Sequence, residues 1–223
     1  MMNDALDNQT AYWDDVAEAK TFTHPLNVAR FKQFVPADAK VVDIGCGYGR
    51  ICSTLYDLGY ENLLGLDISR KMVARGRKNF PHLDLRALTP DTWSTFIESV
   101  DAVVLFAVLT CIPTNNGQAA LMDDIAAILK PGGIVYVSDY WLQKDDRNLE
   151  RYRAFEKKYS TYGVFELPEG VVLRHHDRAW VRSLLSRFDT IAQKDIDVTT
   201  MNGHRTLGFQ YFGRKAQGDI NGR

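Results

Sequence analysis

Val41-Val42-Asp43-Ile44-Gly45-Cys46-Gly47-Tyr48-Gly49 is the stretch on which the reading of this chain turns. A β-branched run gives way to glycines at alternate positions, the pattern of a strand that bends sharply into a helix. Glycine permits the tight turn and lets a ligand approach without obstruction by a Cβ. The helix that follows carries Ile51, Cys52, Leu55 and Leu58 on one face and stops at Gly59. Its first turn has free N–H groups, a natural seat for a carboxylate. One acid, Asp43, precedes the glycines inside the strand.

Outward from this loop, short apolar runs alternate with amphipathic stretches, as successive βα units on a parallel sheet do. Strands are expected at Lys40–Ile44, Asn62–Leu66, Leu83–Ala87, Val100–Phe106 and Ile134–Ser138. Ser69 is placed to cap a helix that presents Met72, Val73 and Phe80 inward and must end before Pro81. A helix over Gly117–Lys130 aligns Leu121, Met122, Ile125, Ile128 and Leu129 on one stripe, and Pro131-Gly132-Gly133 turns the chain into the next strand. Residues 140–176 then break the rhythm. A helix over Arg178–Phe188 follows, and strands at Thr190–Thr200 and Thr206–Gly213 are joined through Asn202-Gly203, a hairpin signal. The fold class read from this order is α/β, doubly wound, with a mostly parallel seven-stranded sheet that closes in a C-terminal antiparallel β-hairpin. Residues 214–223 read as a loose tail.

Composition narrows the options. With 223 residues, 45% of them hydrophobic and 25% charged, the chain can bury one large core and is short for two. Lys and Arg total 27 against 28 Asp and Glu, so the formal charge of -1 gives no basic face for a nucleic-acid partner. The longest apolar run, Ala102 to Leu109, is far too short to span a membrane. Met1 to Thr10 lacks the basic-then-apolar pattern of a secretory signal. Three cysteines (Cys46, Cys52 and Cys111) have no metal-ligand spacing and read as reduced thiols of a cytoplasmic protein. No metal is expected, and the oligomeric state stays open.

The ordered motifs resemble the class I S-adenosylmethionine-dependent methyltransferases, of the type that acts on small molecules. The resemblance rests on Val42 to Gly49, then Leu66-Asp67-Ile68-Ser69, then Asp101-Ala102-Val103 with Val108-Leu109, then Leu129-Lys130-Pro131-Gly132-Gly133. Together they cover roughly residues 40–140. The resemblance implies the Rossmann-like methyltransferase fold and one methyltransferase domain over 1–213. Within it, 1–39 would form an N-terminal helical lid, 40–139 the cofactor-binding core, 140–176 a substrate-shaping insertion, and 177–213 the C-terminal helix and hairpin. It also implies S-adenosyl-L-methionine as cofactor, S-adenosyl-L-homocysteine as product, and methyl transfer to an O, N or C atom of a small-molecule acceptor.

Carried over residue by residue, the resemblance gives Asp43, Gly45, Cys46 and Gly47 the methionine end of the cofactor. Asp67 would accept both ribose hydroxyls, since two carboxylate oxygens match two adjacent donors. Ile68 would pack on the adenine, while Phe106 and Ala107 would sit near the sulfonium. Many members place an acid after the third strand, where this chain reads Arg86-Ala87-Leu88-Thr89-Pro90. A backbone contact from Ala87 or Leu88 is expected there instead. Asp43 could equally satisfy buried loop amides, and Phe106 could be ordinary core.

Acceptor-facing residues are expected outside these motifs, because methyl transfer depends chiefly on aligning the nucleophile. Tyr12, Trp13 and Phe22 could surround a sulfonium by cation–π attraction. His24 is a candidate general base or, alternatively, a capping or surface-paired residue. The segment 140–176 supplies Tyr140 and Arg174 as substrate-facing candidates and His175 and His176 as catalytic candidates. Adjacent histidines on an extended chain face opposite ways, so one of the pair at most enters a pocket. Tyr152, Phe155 and Tyr159 lie at helical spacing and read as packing. Leu105-Phe106-Ala107-Val108 stands where methyltransferases of nucleobase or glutamine amides carry Asn/Asp-Pro-Pro-Tyr, which disfavours those acceptors.

The other readings are an NAD-dependent oxidoreductase using the same glycine loop and a non-catalytic S-adenosylmethionine-binding module. Arg50 stands where the dinucleotide pattern Gly-x-Gly-x-x-Gly wants its third glycine, and the closing hairpin also departs from that fold.

Overall fold

The computed structural model describes residues 5–217. A single sheet has the strand order β3-β2-β1-β4-β5-β9-β8. Its members are β1 (Val41–Ile44), β2 (Leu63–Asp67), β3 (Asp84–Ala87), β4 (Val100–Phe106), β5 (Leu129–Tyr140), β8 (Asp189–Thr199) and β9 (Arg205–Arg214). The first five run parallel, and β9 pairs antiparallel with both β5 and β8. The seven-stranded, doubly wound sheet and its closing hairpin are those the sequence predicts.

Every residue of β1 is buried, because both faces of a central parallel strand are covered. The alternation of the strand sorts its side chains. Val42 and Ile44 join the core under α5 (Asn115–Ile128) and α7 (Arg178–Leu185), while Val41 packs with Phe31 of α2 (Val28–Phe34) and Ile51 and Leu55 of α3 (Arg50–Asp57). The fourth helix, α4 (Arg70–Asn79), is capped by Ser69, whose Oγ accepts the Met72 N–H at 3.0 Å. Strand order reverses between β1 and β4, which leaves a crevice at their carboxyl ends.

Several boundaries differ from the sequence reading for local reasons. α5 stops at Ile128, and β5 already begins at Leu129. Leu129 pairs with Val100 and Ile134 with Ala102, so Pro131-Gly132-Gly133 bulges out of a continuous strand. Gly132 takes φ +78° there, and its N–H donates to the Lys215 carbonyl. α7 ends at Leu185, three residues before Phe188. Arg214, expected in a tail, is the last residue of β9; of that tail, 218–223 lie outside the described residues, as do 1–4.

Residues 140–176 hold more regular structure than their composition suggests. They contain α6 (Asp146–Tyr159), capped by Asp145, and a separate hairpin of β6 (Val164–Glu166) and β7 (Val172–Arg174). Tyr152 is buried against Phe165 of that hairpin, whereas Phe155 and Tyr159 are only half-buried. The N-terminal segment adds α1 (Thr10–Asp15). No helix among the described residues is long and apolar enough to cross a membrane.

Candidate active site

A cavity of about 370 Å³ opens at the carboxyl ends of β1, β2 and β4. Gly45, Asp67, Ile68, Leu88, Phe106 and Ala107 line its sheet side. Gly45 and Gly47 adopt φ of +68° and +55°, left-handed values that L side chains rarely take. The two glycines nevertheless do different work. Gly45 borders the cavity, with Val108 packed so close that a Cβ would come within 2.4 Å of its methyl. Gly47 does not border it. A Cβ there would lie 2.2 Å from the ring of Phe22, which stacks on Tyr48 at 5.3 Å. Ala107 takes φ +54° as it leaves β4, an unusual conformation for a residue with a Cβ and one that collects at functional sites.

Asp67 ends β2 at the floor of the cavity. Its Oδ2 accepts the Gly47 N–H at 2.7 Å and its Oδ1 the Ser69 N–H at 2.8 Å. Each oxygen so engaged retains further acceptor capacity. Burial pushes the carboxyl up to about 6, opposed by those two amides. Asp43 is buried beneath the loop and is not among the cavity-lining residues. Its Oδ2 accepts from the Cys52 thiol at 3.5 Å, and burial raises it to about 7. Cys46, Gly47 and Ala87 likewise stand behind the wall, with the Cys46 thiol turned to the Gly47 carbonyl.

Arg50, the first residue of α3, lines the cavity. A cation at a helix N-terminus gains nothing from the macrodipole, and the acid that acts on this one is the buried Asp43. One Nη donates to the His24 carbonyl at 2.6 Å, while Nε is buried without a partner.

The N-terminal segment crosses the strand ends and is tied down at several points. Asp14 accepts from Ser69 Oγ at 2.6 Å and from the Lys71 N–H at 3.1 Å, so an α1 carboxylate seats on the α4 N-terminus. Arg75 donates to the carbonyls of Ala17 at 2.7 Å and Lys20 at 2.8 Å. The Gln9 side chain donates to the carbonyls of Cys111 and Val172 and accepts the Val172 N–H. Tyr12, Trp13, Phe22 and His24 thereby reach the cavity, as does Tyr140 from the end of β5.

His24 is buried, with Nδ1 3.0 Å from Ser138 Oγ and Nε2 without a partner. Burial and then the Arg50 charge hold it down to about 3, so the ring is neutral at physiological pH. The adjacent histidines part company. His175 lines the cavity, whereas His176 turns into the core. There its Nε2 meets Gln118 at 2.9 Å and its Nδ1 the Tyr140 carbonyl at 3.0 Å. Arg174 is also directed away from the cavity, donating to the Pro113 carbonyl at 3.1 Å with its guanidinium over Trp180. Expectations of contact at the cavity for His176 and Arg174 therefore give way to packing roles. Among the described residues no cluster of His, Cys, Asp or Glu is placed to hold a metal ion.

Sequence reasoning missed several cavity residues. Arg50 was legible only as a departure from the dinucleotide pattern. Arg147 and Arg151, four apart on α6, also line the cavity, and the hairpin turn contributes Thr200, Met201 and His204. No local pattern announces that a distant turn will fold over the same cavity.

Residues 41–133 match a family described as a methyltransferase domain. A carboxy-S-adenosyl-L-methionine synthase of Actinobacillus succinogenes is 30% identical over 62% of this chain, which spans 61% of that protein. A ubiquinone biosynthesis O-methyltransferase of Stutzerimonas stutzeri is 27% identical over 86% of this chain and 82% of its own. A solved SAM-dependent methyltransferase from Methanosarcina mazei superposes with a TM-score of 0.80 at 21% identity, over 86% of this chain and 99% of that one. At that identity the likeness is one of fold.

Proposed function

We propose, from the premise that the chain belongs to the class I S-adenosylmethionine-dependent methyltransferases, that it moves a methyl group from that cofactor to a small-molecule acceptor held in the cavity. The observation that carries this reading is Asp67. A buried carboxylate with spare acceptor capacity, braced by two backbone amides at the tip of β2, is suited to a ribose diol.

The rest of the wall fits the same group. Arg50 and the first turn of α3 would hold the cofactor's carboxylate, which meets the demand of a guanidinium with a buried, unpartnered Nε. Ile68 and Leu88 would border the adenine, with Phe106 and Ala107 nearer the sulfonium. Asp43, which does not line the cavity, would act through the electrostatic balance of Arg50. When bound, the cofactor supplies an activated methyl group and a good leaving group.

What remains for the protein is to exclude water and align the acceptor. The N-terminal segment would serve as a lid, its Phe22 and Trp13 closing the cavity above Tyr48. His24 has a buried, unpartnered ring nitrogen at the cavity and would take a proton from an acceptor that arrives protonated. A ring held down to about 3 is a weak base, which favours acceptors that need little help in losing a proton. The finer role of the protein, a cytoplasmic enzyme working on small molecules rather than nucleic acid, is part of the same proposal.

Calorimetric titration tests this reading. S-adenosylhomocysteine should bind in the micromolar range and NAD should not. Binding of NAD in place of S-adenosylhomocysteine would favour the oxidoreductase reading.

A further inference from the structure

The cavity wall also contains two arginines for which the described residues supply one weakly placed carboxylate. Arg147 and Arg151 occupy one face of α6, and both line the cavity. The Arg151 guanidinium lies 3.6 Å from the ring centroid of Phe165, a stacking contact that fixes its plane and leaves its edge to bond. Its Nε is buried and has no partner. The acid that acts on Arg151 is Asp145, and that carboxylate already accepts from the Asn148 N–H at 3.2 Å and the Asn148 side chain at 2.5 Å. Arg147 reaches the same carboxylate only at 3.9 Å, on the surface. The remaining lysine of the cavity is not comparable, because Lys20 pairs with Glu169 at 3.4 Å.

The neighbouring histidine is a donor as well. Tyr152 Oη accepts the Gln143 N–H at 3.2 Å, a donor that cannot accept in return. Among the described residues the acceptor within reach of the hydroxyl proton is His175 Nδ1, 2.5 Å away, and we assign the proton to that bond. A neutral ring that accepts at Nδ1 carries its proton on Nε2. His175 lies in the cavity wall and is neutral, since burial and the Arg151 charge hold it well below the usual imidazole range. This tautomer removes His175 as a general base and leaves Nε2–H as its free hydrogen-bonding function. The surrounding wall is apolar, with Leu167, Val171 and Leu173 beside Phe165.

We infer that the methyl acceptor carries a carboxylate on an apolar body, the carboxylate bound by the Arg151 and Arg147 guanidinium groups with His175 as an additional donor. This inference rests on the methyltransferase reading of the same cavity. Two guanidinium forks suit the planar, bidentate geometry of a carboxylate. A stack on an aromatic ring keeps one of them in position before the acceptor arrives.

The test uses the full chain saturated with S-adenosylhomocysteine, titrated calorimetrically with benzoate, phenylacetate and 3-phenylpropionate, with their amides, and with phenyl phosphate. At least one carboxylate should bind more tightly than its amide. Arg151→Gln should weaken that binding about tenfold or more, as loss of a charged hydrogen-bonding partner does. Arg147→Gln should weaken it less. S-adenosylhomocysteine should bind both variants as it binds the parent chain, which also shows that they are folded. Equal binding of acid and amide, binding of phenyl phosphate alone, no binding by any of the acids, or an unchanged affinity in Arg151→Gln would each overturn the inference. Failure of S-adenosylhomocysteine to bind the parent chain would instead strike the methyltransferase reading.

Discussion

Asp67 Oδ2 accepts the Gly47 N–H at 2.7 Å, so the carboxylate proposed for the cofactor also clamps the loop that shapes the cavity. One side chain thus joins the tip of β2 to the turn after β1. Its other oxygen, on the Ser69 N–H, ties the same point to the start of α4. Replacing it removes a ligand and a brace together. Asp67→Ala should weaken S-adenosylhomocysteine binding by about 2–3 kcal/mol, the scale of lost hydrogen bonds to a charged group. It should also lower the urea midpoint of unfolding, because the Gly47 amide loses its partner. Calorimetry and denaturant titration read the two effects separately, and unchanged affinity would count against the ribose assignment.

The same carboxylate sets a pH dependence. Burial raises Asp67 to about 6, and only the ionised form offers both oxygens as acceptors to a diol. Cofactor affinity should therefore fall as pH drops from 7.5 to 5. In Asp67→Ala the step near pH 6 should disappear. A step that persists in the variant would assign it to another group.

His24 makes a separate prediction about stability. Its folded-state value, near 3, lies below the ordinary 6.5, so between those values the unfolded chain binds the additional proton. The stability it contributes is present above pH 6.5 and lost as pH falls toward 3. Asp43, Asp67 and Asp139 act in the opposite sense, because burial raises them to about 7, 6 and 7. Their stabilising contribution is present at low pH and lost as pH rises through those values. The readout is therefore the difference between parent and variant. His24→Gln should flatten the acid limb by up to about 1.4 kcal/mol per pH unit, one proton's worth. Unfolding midpoints at pH 5 and pH 7 check it, and parallel curves would exclude a buried neutral ring.

Asp14 gives a kinetic prediction. It holds α1 to the N-terminus of α4 through Ser69 Oγ and the Lys71 N–H. On the lid reading, ligand exchange requires α1 to lift from α4. Asp14→Ala should speed dissociation of S-adenosylhomocysteine by about tenfold, the scale of one charged hydrogen bond, with a smaller effect on global stability. Stopped-flow displacement measures the rate, and an unchanged value would mean that α1 does not gate the cavity.

The sheet was legible because its signals are local. β1, β2 and β4 are apolar runs of strand length, and the glycines after β1 and Ser69 after β2 mark where helices begin. Asp67, Ile68, Phe106 and Ala107 are named from the resemblance of the ordered motifs to the methyltransferases, and all four line the cavity at strand ends. The acceptor side was harder to read. Arg174 and His176 are in the expected segment but face the core, since the β7 hairpin and the bridge between Trp141 and His176 fix which way each side chain points. Arg147 and Arg151 owe their place to the docking of α6, which spacing on a helix does not reveal. Gly47 shows the same limit on the cofactor side. Its lack of a side chain makes room for Phe22, from a segment more than twenty residues earlier.

A crystal structure of the chain with S-adenosylhomocysteine bears most directly on the whole account. The ribose hydroxyls should lie on Asp67 and the amino-acid carboxylate beside Arg50, with the sulfur facing the part of the cavity that His24 and Tyr140 line. A ribose bound away from Asp67, or a ligand seated outside this cavity, would contradict it.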